Sequence, residues 1–437
     1  MSRVALHTLG CKVNQYETQR IAEGFLSKGF DVVDFSDEAD VYVINTCTVT
    51  RTADSKSRQA ARSAIRRNPR ATVVVTGCYA ETSPEEVAKI HGVGMVMGNR
   101  EKAGLVERVV NNLRDIPAAV RRPKREIENR TRALLKIQDG CDQFCAYCVV
   151  PFARPVVTSR PFAEVLAEAS ELARRGFKEI VLTGIRLGRY DEGLAELVHA
   201  LTTLPGIERI RLSSIELTDI PAGLLDLVAQ NHKICRHLHV PLQSGDDAVL
   251  ARMKRPYTSA DYESFVRRAR SSVSGIAITT DIMVGFPGET AEEFDNTYRL
   301  AERMRFARAH VFPYSPRPRT QAAELPDDVS PAEKERRKTR LMDLAAECSH
   351  EFACVLVGKT VQVLVEGKEI GGNLLSGLTD NYVRTIFEAD RGHVGNIVDV
   401  DVESVSRANA FGTLSGCSSQ ASGGPVESGI TSRFGGK

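Results

Sequence analysis

The sequence predicts an α/β protein in three successive domains. These are an N-terminal open parallel α/β domain over residues 1–120, a partial (βα)6 TIM-like barrel with a trailing helix over 131–357, and a small C-terminal β-barrel over 358–410. Three observations carry this reading. Short β-branched runs alternate with helical patterns in the first domain. Strand-then-helix units recur six times from residue 133 to 326. After residue 359 the pattern changes to short β runs separated by Gly-rich turns.

In the first domain, residues 4–9, 41–45 and 72–76 read as buried strands, with helical patterns at 16–28 and 53–67. Each strand ends just before a cysteine: Leu9-Gly-Cys11, Asn45-Thr-Cys47 and Thr76-Gly-Cys78. Parallel strands point the same way, and ligands bind beyond their carboxyl ends. Three cysteines more than thirty residues apart can therefore converge on one point. A single buried cysteine is ordinarily a small apolar residue; three in equivalent positions point to a metal centre.

Residues 121–130 contain Arg121-Arg-Pro-Lys-Arg125 and read as a basic linker. Barrel strands are expected at 134–138, 179–183, 209–213, 238–241, 277–283 and 307–312, with helices such as 162–175 and 259–271 between them. Residues 331–356 form a long charged helical pattern. Strands of the small β-barrel are expected at 361–365, 382–386 and 396–400, and the Ser/Gly-rich tail from 411 to 437 is expected to be disordered.

The chain has 437 residues and a net charge of +2, so overall charge says little about partners. No apolar run is long enough for a transmembrane helix, and the first residues lack a signal-peptide core. A cytoplasmic protein without a membrane partner is expected. Ten cysteines in such a chain suggest ligands rather than disulfides.

Cys141-Asp-Gln-Phe-Cys145-Ala-Tyr-Cys148 places three thiols on one loop after the first barrel strand. A structural zinc site takes four ligands, so zinc would need a fourth from elsewhere. A four-iron cluster held by three thiolates keeps one iron open for a cofactor. Common zinc spacings are paired CxxC units, which this CxxxCxxC run is not.

The Cys141–Cys148 run resembles the cluster loop of radical S-adenosylmethionine (SAM) enzymes. With Cys11, Cys47 and Cys78, the barrel and the small β domain, the chain resembles the radical SAM methylthiotransferases over about residues 3–410. Their C-terminal module is a TRAM domain. Leu9-Gly-Cys-Lys-Val-Asn-Gln-Tyr-Glu17 is similar to the opening of the subfamily acting on threonylcarbamoyladenosine at tRNA position 37. His237–Gly245, Thr280–Thr290 and His310–Pro318 match the wider family. The chain departs from it at Pro155, Arg186 and Arg319, which bear on SAM or substrate contact.

The resemblance implies two [4Fe-4S] clusters. The Cys141/Cys145/Cys148 cluster would bind and reductively split SAM, and the resulting radical would activate C2 of the adenine. The Cys11/Cys47/Cys78 cluster would deliver sulfur. Radical chemistry suits an unactivated aromatic C–H bond, which acid–base catalysis cannot break. The resemblance further implies the anticodon loop of tRNA with its adenosine 37 as partner, a reductant protein such as a flavodoxin or ferredoxin, and a sulfur donor.

Candidate SAM contacts are Tyr147, Gly184, Glu216, Gln243 and Asp281. Tyr147 could equally fill the loop core, and Glu216 could be solvated or ion-paired. Arg58, Arg62 and Arg66 recur at helical spacing and form a candidate RNA face. Residues 359–407 carry five Lys/Arg against eight Asp/Glu, so RNA binding there would need a local basic patch. Cys348 and Cys354 read as packing residues; Cys235 and Cys417 fit neither set. Two other functions compete. One is the same chemistry on isopentenyladenosine-37 tRNA or a ribosomal-protein aspartate. The other is a non-catalytic metal-containing RNA-binding protein.

Overall fold

Residues 41–46, rich in β-branched side chains, are buried on both faces, which marks a central parallel strand covered by helices on each side. In the computed structural model, which describes residues 2–113, 130–367 and 374–416, Val41–Thr46 is the middle of a five-stranded parallel sheet. The order is Asp31–Val33, Arg3–Thr8, Val41–Thr46, Thr72–Gly77, Met95–Met97. Alternate side chains feed two cores. Tyr42 and Ile44 pack with Ala60, Ala61 and Ala64 of helix Arg51–Arg67. Val41 and Val43 pack with Ile21 and Phe25 of helix Lys12–Ser27 and with Leu105 and Val109. The chain reverses its winding between Arg3–Thr8 and Val41–Thr46, which opens a crevice at their carboxyl ends.

The six expected barrel strands form. Arg132–Lys136, Glu179–Thr183 and Arg209–Leu212 pair in parallel, as do His237–His239, Ala277–Val284 and Arg308–Pro313. Parallel bridges at Ile210–Ile234 and Ser214–His239 join the two halves into one open barrel. Helix Pro331–Cys354 closes against its core through Leu341, Leu344 and Cys348.

The C-terminal unit is a closed five-stranded barrel: Thr360–Val365, Leu374–Thr379, Arg384–Glu388, Asn409–Leu414, Ile397–Ser406. Its last strand corrects the expected boundary, because residues 411–414 are paired strand and not tail. Residues 121–129 of the basic linker and 417–437 of the tail lie outside the described residues. The β unit is clamped to the barrel. Arg209 donates to the carbonyls of Leu378 and Gln362, and Arg211 to those of Thr379 and Asp380. Among the described residues no helix is long and apolar enough to cross a membrane.

Candidate active site: two sets of three cysteines

The loop carrying Cys141, Cys145 and Cys148 is pinched at its base by the antiparallel pair Gln138–Asp139 and Thr158–Ser159. Gly140 (φ 78°) makes the turn, and a Cβ there would lie 2.0 Å from the carbonyl oxygen of Val156. Cys145 is buried, and its two partners are half-buried. The Gln143 N–H lies 3.4 Å from Cys141 Sγ, and Arg255 Nη1 lies 3.3 Å from Cys145 Sγ. The Val150 N–H is directed at Cys148. Arg255 is fixed by an ion pair with Glu216 and by Tyr257 Oη at 3.1 Å. Burial pushes the Cys141 thiol up and Cys148 to about 12.

The other set is assembled by the sheet. Cys11 is the N-cap of helix Lys12–Ser27, Cys47 follows the central strand, and Cys78 opens the turn of helix after Thr72–Gly77. Gly10 (φ 97°) permits their approach: a Cβ there would lie 2.9 Å from Cys47 Sγ. N–H groups of Val13 and Asn14 face Cys11, and those of Thr48 and Val49 face Cys47. Asn99 Nδ2 lies 3.6 Å from Cys78 Sγ. Cys11 reaches solvent yet is hemmed in by protein, and that crowding, followed by the Cys78 charge, raises its pKa. Burial lifts Cys47 to about 12.

All six sulfurs thus have an N–H group directed at them, although a protonated thiol is a weak acceptor. This donor set suits thiolates and the sulfides of an iron–sulfur cluster. Among the described residues no three His, Cys, Asp or Glu side chains gather tightly enough to share a single ion. A four-iron cube gives each thiolate its own iron and does not require that closeness.

Between the two sets lies a buried ion network that sequence reasoning missed. Arg154, 4% exposed, donates to Glu17 at 2.8 and 2.9 Å, to Asp139 at 2.7 Å and to Asn14 at 2.8 Å. Lys102 donates to Glu17 at 2.5 Å, Asn99 at 2.8 Å and Asn45 at 3.2 Å, and three acceptors require an ammonium. Lys136 joins Glu17 to Asp139. Burial opposes ionisation of Glu17, yet Lys102 and Arg154 hold its carboxyl well below the usual range. Asn14 and Glu17 follow Cys11 by three and six residues on one helix, so the signal lay in the quoted motif.

The remaining candidates fall as follows. Tyr147 packs against a buried cluster that includes Met253, Met283 and Phe286, beside the cluster loop. Gly184 is kept small by Gln138 and Leu187, 3.1 and 3.2 Å from where its Cβ would be. Glu216 is ion-paired with Arg255. Gln243 (φ 68°) is buried, and its Oε1 has no partner, an orphaned acceptor beyond strand His237–His239. Asp281 bonds His239 Nε2 at 3.2 Å and pairs with His310 at 3.5 Å inside the barrel. Arg58 is tied to Tyr79 Oη at 2.9 Å, whereas Arg62 and Arg66 are exposed. Cys348 is core, as expected; Cys354 is exposed, because Phe352 and Ala353, not Cys354, face the β unit at that end of the helix.

The departures from the family pattern also have partners. Arg186 bridges Asp219 at 2.6 Å to Asp142 at 2.9 Å, bracing the cluster loop. Arg319 holds φ 71°, a conformation that favours glycine, with its guanidinium 4.5 Å over the Phe152 ring. Nothing in the structure explains Pro155.

Residues 3–98 match the uncharacterized protein family UPF0004, 135–301 the radical SAM superfamily and 355–415 the TRAM domain. The chain is 41% identical to the threonylcarbamoyladenosine tRNA methylthiotransferase MtaB of Bacillus subtilis, over 92% of this chain and 94% of that protein. It is 40% identical to MtaB of Aquifex aeolicus, over 91% and 99%. A tRNA-2-methylthio-N(6)-dimethylallyladenosine synthase of Dehalococcoides mccartyi is 34% identical, over 91% and 94%. In fold, the chain is similar to the radical SAM methyltransferase TsrM of Kitasatospora setae, with a TM-score of 0.57 and 20% identity over 74% of this chain and 77% of that one.

Proposed function

The chain belongs to the radical SAM tRNA methylthiotransferases, and we propose that it installs the methylthio group at C2 of N6-threonylcarbamoyladenosine at tRNA position 37. The observation that carries the reaction is the pairing of two three-thiol sets, each with N–H donors, on either side of one buried ion network. Identity to the two MtaB proteins over nine-tenths of the chain supports the substrate.

Cys141, Cys145 and Cys148 would hold one [4Fe-4S] cluster, and Cys11, Cys47 and Cys78 the second. Bound there with SAM, these groups supply a carbon-centred radical able to break a C–H bond and a sulfur to replace the hydrogen. The protein's part is to place and shield them. Arg255 and the Gln143 N–H offset negative charge on the loop sulfurs. Glu216 keeps Arg255 oriented, and Gln243 Oε1 offers an acceptor to SAM. Arg154 ties helix Lys12–Ser27 to the strand Gln138–Asp139, so the two cysteine sets keep a fixed separation. Arg62 and Arg66 present a basic helix face to the tRNA backbone.

Turnover would draw electrons from a small reductant protein and fresh sulfur from a donor, in the cytoplasm. Mass spectrometry of tRNA nucleosides from a strain lacking this gene tests the substrate. Loss of the methylthio form, with threonylcarbamoyladenosine accumulating, is expected. Unchanged methylthio-threonylcarbamoyladenosine in a strain with no second such enzyme overturns it.

A further inference from the structure

A cavity of about 560 Å³ opens where the barrel, the first helix and the C-terminal β unit meet. Lys12, Ser213, His237, Asp281, Arg308 and Tyr382 line it. Two of its wall residues stand close along the chain to the two cysteine sets. Lys12 directly follows Cys11, and Ser214, also in the wall, precedes Glu216 by two residues, the partner of the arginine on Cys145.

The charges in its walls do not balance. Asp281 is taken by His239 and His310. Arg211 is held by Glu179 at 2.7 Å. His237 is buried, stacked on Tyr382 with ring centres 4.4 Å apart, and burial holds its pKa well below the usual value, so it is neutral. Half-buried Lys12 and Arg308, which reaches solvent at the rim, remain, and among the described residues neither side chain has a hydrogen-bond or ion-pair partner. Two neutral polar atoms of the same walls, Ser213 Oγ and His237 Nδ1, are buried without partners. A cavity with two free cations and two orphaned polar atoms fits an anionic, hydrogen-bonding guest.

We propose that this cavity receives the threonylcarbamoyl arm of the substrate base, with Lys12 and Arg308 binding its carboxylate. The inference rests on the substrate reading above. The arm carries a carboxylate, a hydroxyl and a urea-like N–H and C=O, which answer the cations, Ser213 and His237. A dimethylallyl arm has none of these groups and would leave the same wall atoms desolvated and unpaired, which is how a polar pocket rejects an apolar analogue. The position is consistent, because the arm must lie within one base-width of the carbon that receives sulfur, and Lys12 adjoins Cys11.

The alternative source of negative charge is a backbone phosphate, and binding separates the two. Fluorescence anisotropy of the cluster-loaded protein is measured on one tRNA in three forms: threonylcarbamoylated, dimethylallylated and unmodified at position 37. Wild-type protein is expected to prefer the first. Lys12→Gln and Arg308→Gln should each lose about tenfold of that preference, with affinity for unmodified tRNA unchanged. Lys12→Arg should retain it, and iron content checks that the neighbouring cysteine set is intact. Equal loss on all three tRNAs assigns the cations to phosphates and overturns the proposal. Preference retained in both glutamine variants overturns it alone, whereas a wild-type protein indifferent to the three forms overturns the substrate reading with it.

Discussion

The two cysteine sets reach the same local chemistry by opposite routes. Cys141, Cys145 and Cys148 sit on one pinched loop, and their spacing alone declares them. Cys11, Cys47 and Cys78 are scattered along the chain and meet only because three parallel strands end at one crevice. Both sets are lined with N–H donors, and each has arginine charge nearby; Arg186 acts on Cys141. Arg255 touches Cys145 directly, while Arg154 acts on Cys11 and Cys78 from within the buried network. A local motif thus needs a loop to be correct; a dispersed one needs the whole sheet and its docking to the barrel.

The largest expected effect separates the two roles. Cys145→Ala should reduce SAM cleavage to background, read as 5′-deoxyadenosine formed. Cys47→Ala should keep cleavage while abolishing methylthio transfer to tRNA. Sulfur transfer by Cys47→Ala would break the comparison.

A smaller effect tests the dependence of the dispersed set on docking. Arg154→Met leaves Glu17 and Asp139 short of a partner in a buried site. Removing one member of such a network costs about 3–5 kcal/mol. Thermal unfolding of the cluster-free protein should show this as a lower Tm, and the cluster-loaded variant should lose iron from the strand-end set before the loop set. An unchanged Tm would mean the network is not what joins the two sets.

The pH dependence should be common to both sets. Burial raises Cys11 and Cys141 and pushes Cys47 and Cys148 to about 12, so these thiols are protonated in the metal-free protein at neutral pH. Only the thiolate binds metal, so each of these four thiols releases a proton and uptake tightens as pH rises, by about tenfold per pH unit for each proton released. Iron titrations of Cys47→Ala and Cys145→Ala should show the same direction. Uptake independent of pH in one variant would show that its remaining set is ionised before metal arrives.

The smallest effect concerns the loop alone. Arg319→Gly relieves a left-handed backbone worth about 1 kcal/mol and loses a stacking contact worth about 0.5–1 kcal/mol. Stability by denaturant unfolding should therefore change by less than about 1 kcal/mol, with SAM cleavage retained. A large loss would make the Arg319–Phe152 contact a support of the cluster loop.

What could be read from the chain follows the same division. Strands of β-branched residues such as Glu179–Thr183 stand where their periodicity put them. Leu374–Thr379 and Asn409–Leu414 escaped because Gly377 and Gly412 look like turn residues. In the closed barrel they are sites of close backbone approach, where a Cβ would lie 2.1 Å from Leu364 O and 2.0 Å from Asp401 O. The Arg154 network was hidden because its members come from five separate segments and only docking assembles them. Lone Glu216 could not disclose Arg255, thirty-nine residues on, as its partner.

Each set of three thiolates is expected to hold its own four-iron cluster. The most direct test is iron and acid-labile sulfide per chain after anaerobic reconstitution of the wild type, Cys47→Ala and Cys145→Ala. About eight irons in the wild type and about four in each variant are expected. Zinc without sulfide, or a variant that keeps all of its iron, would contradict it.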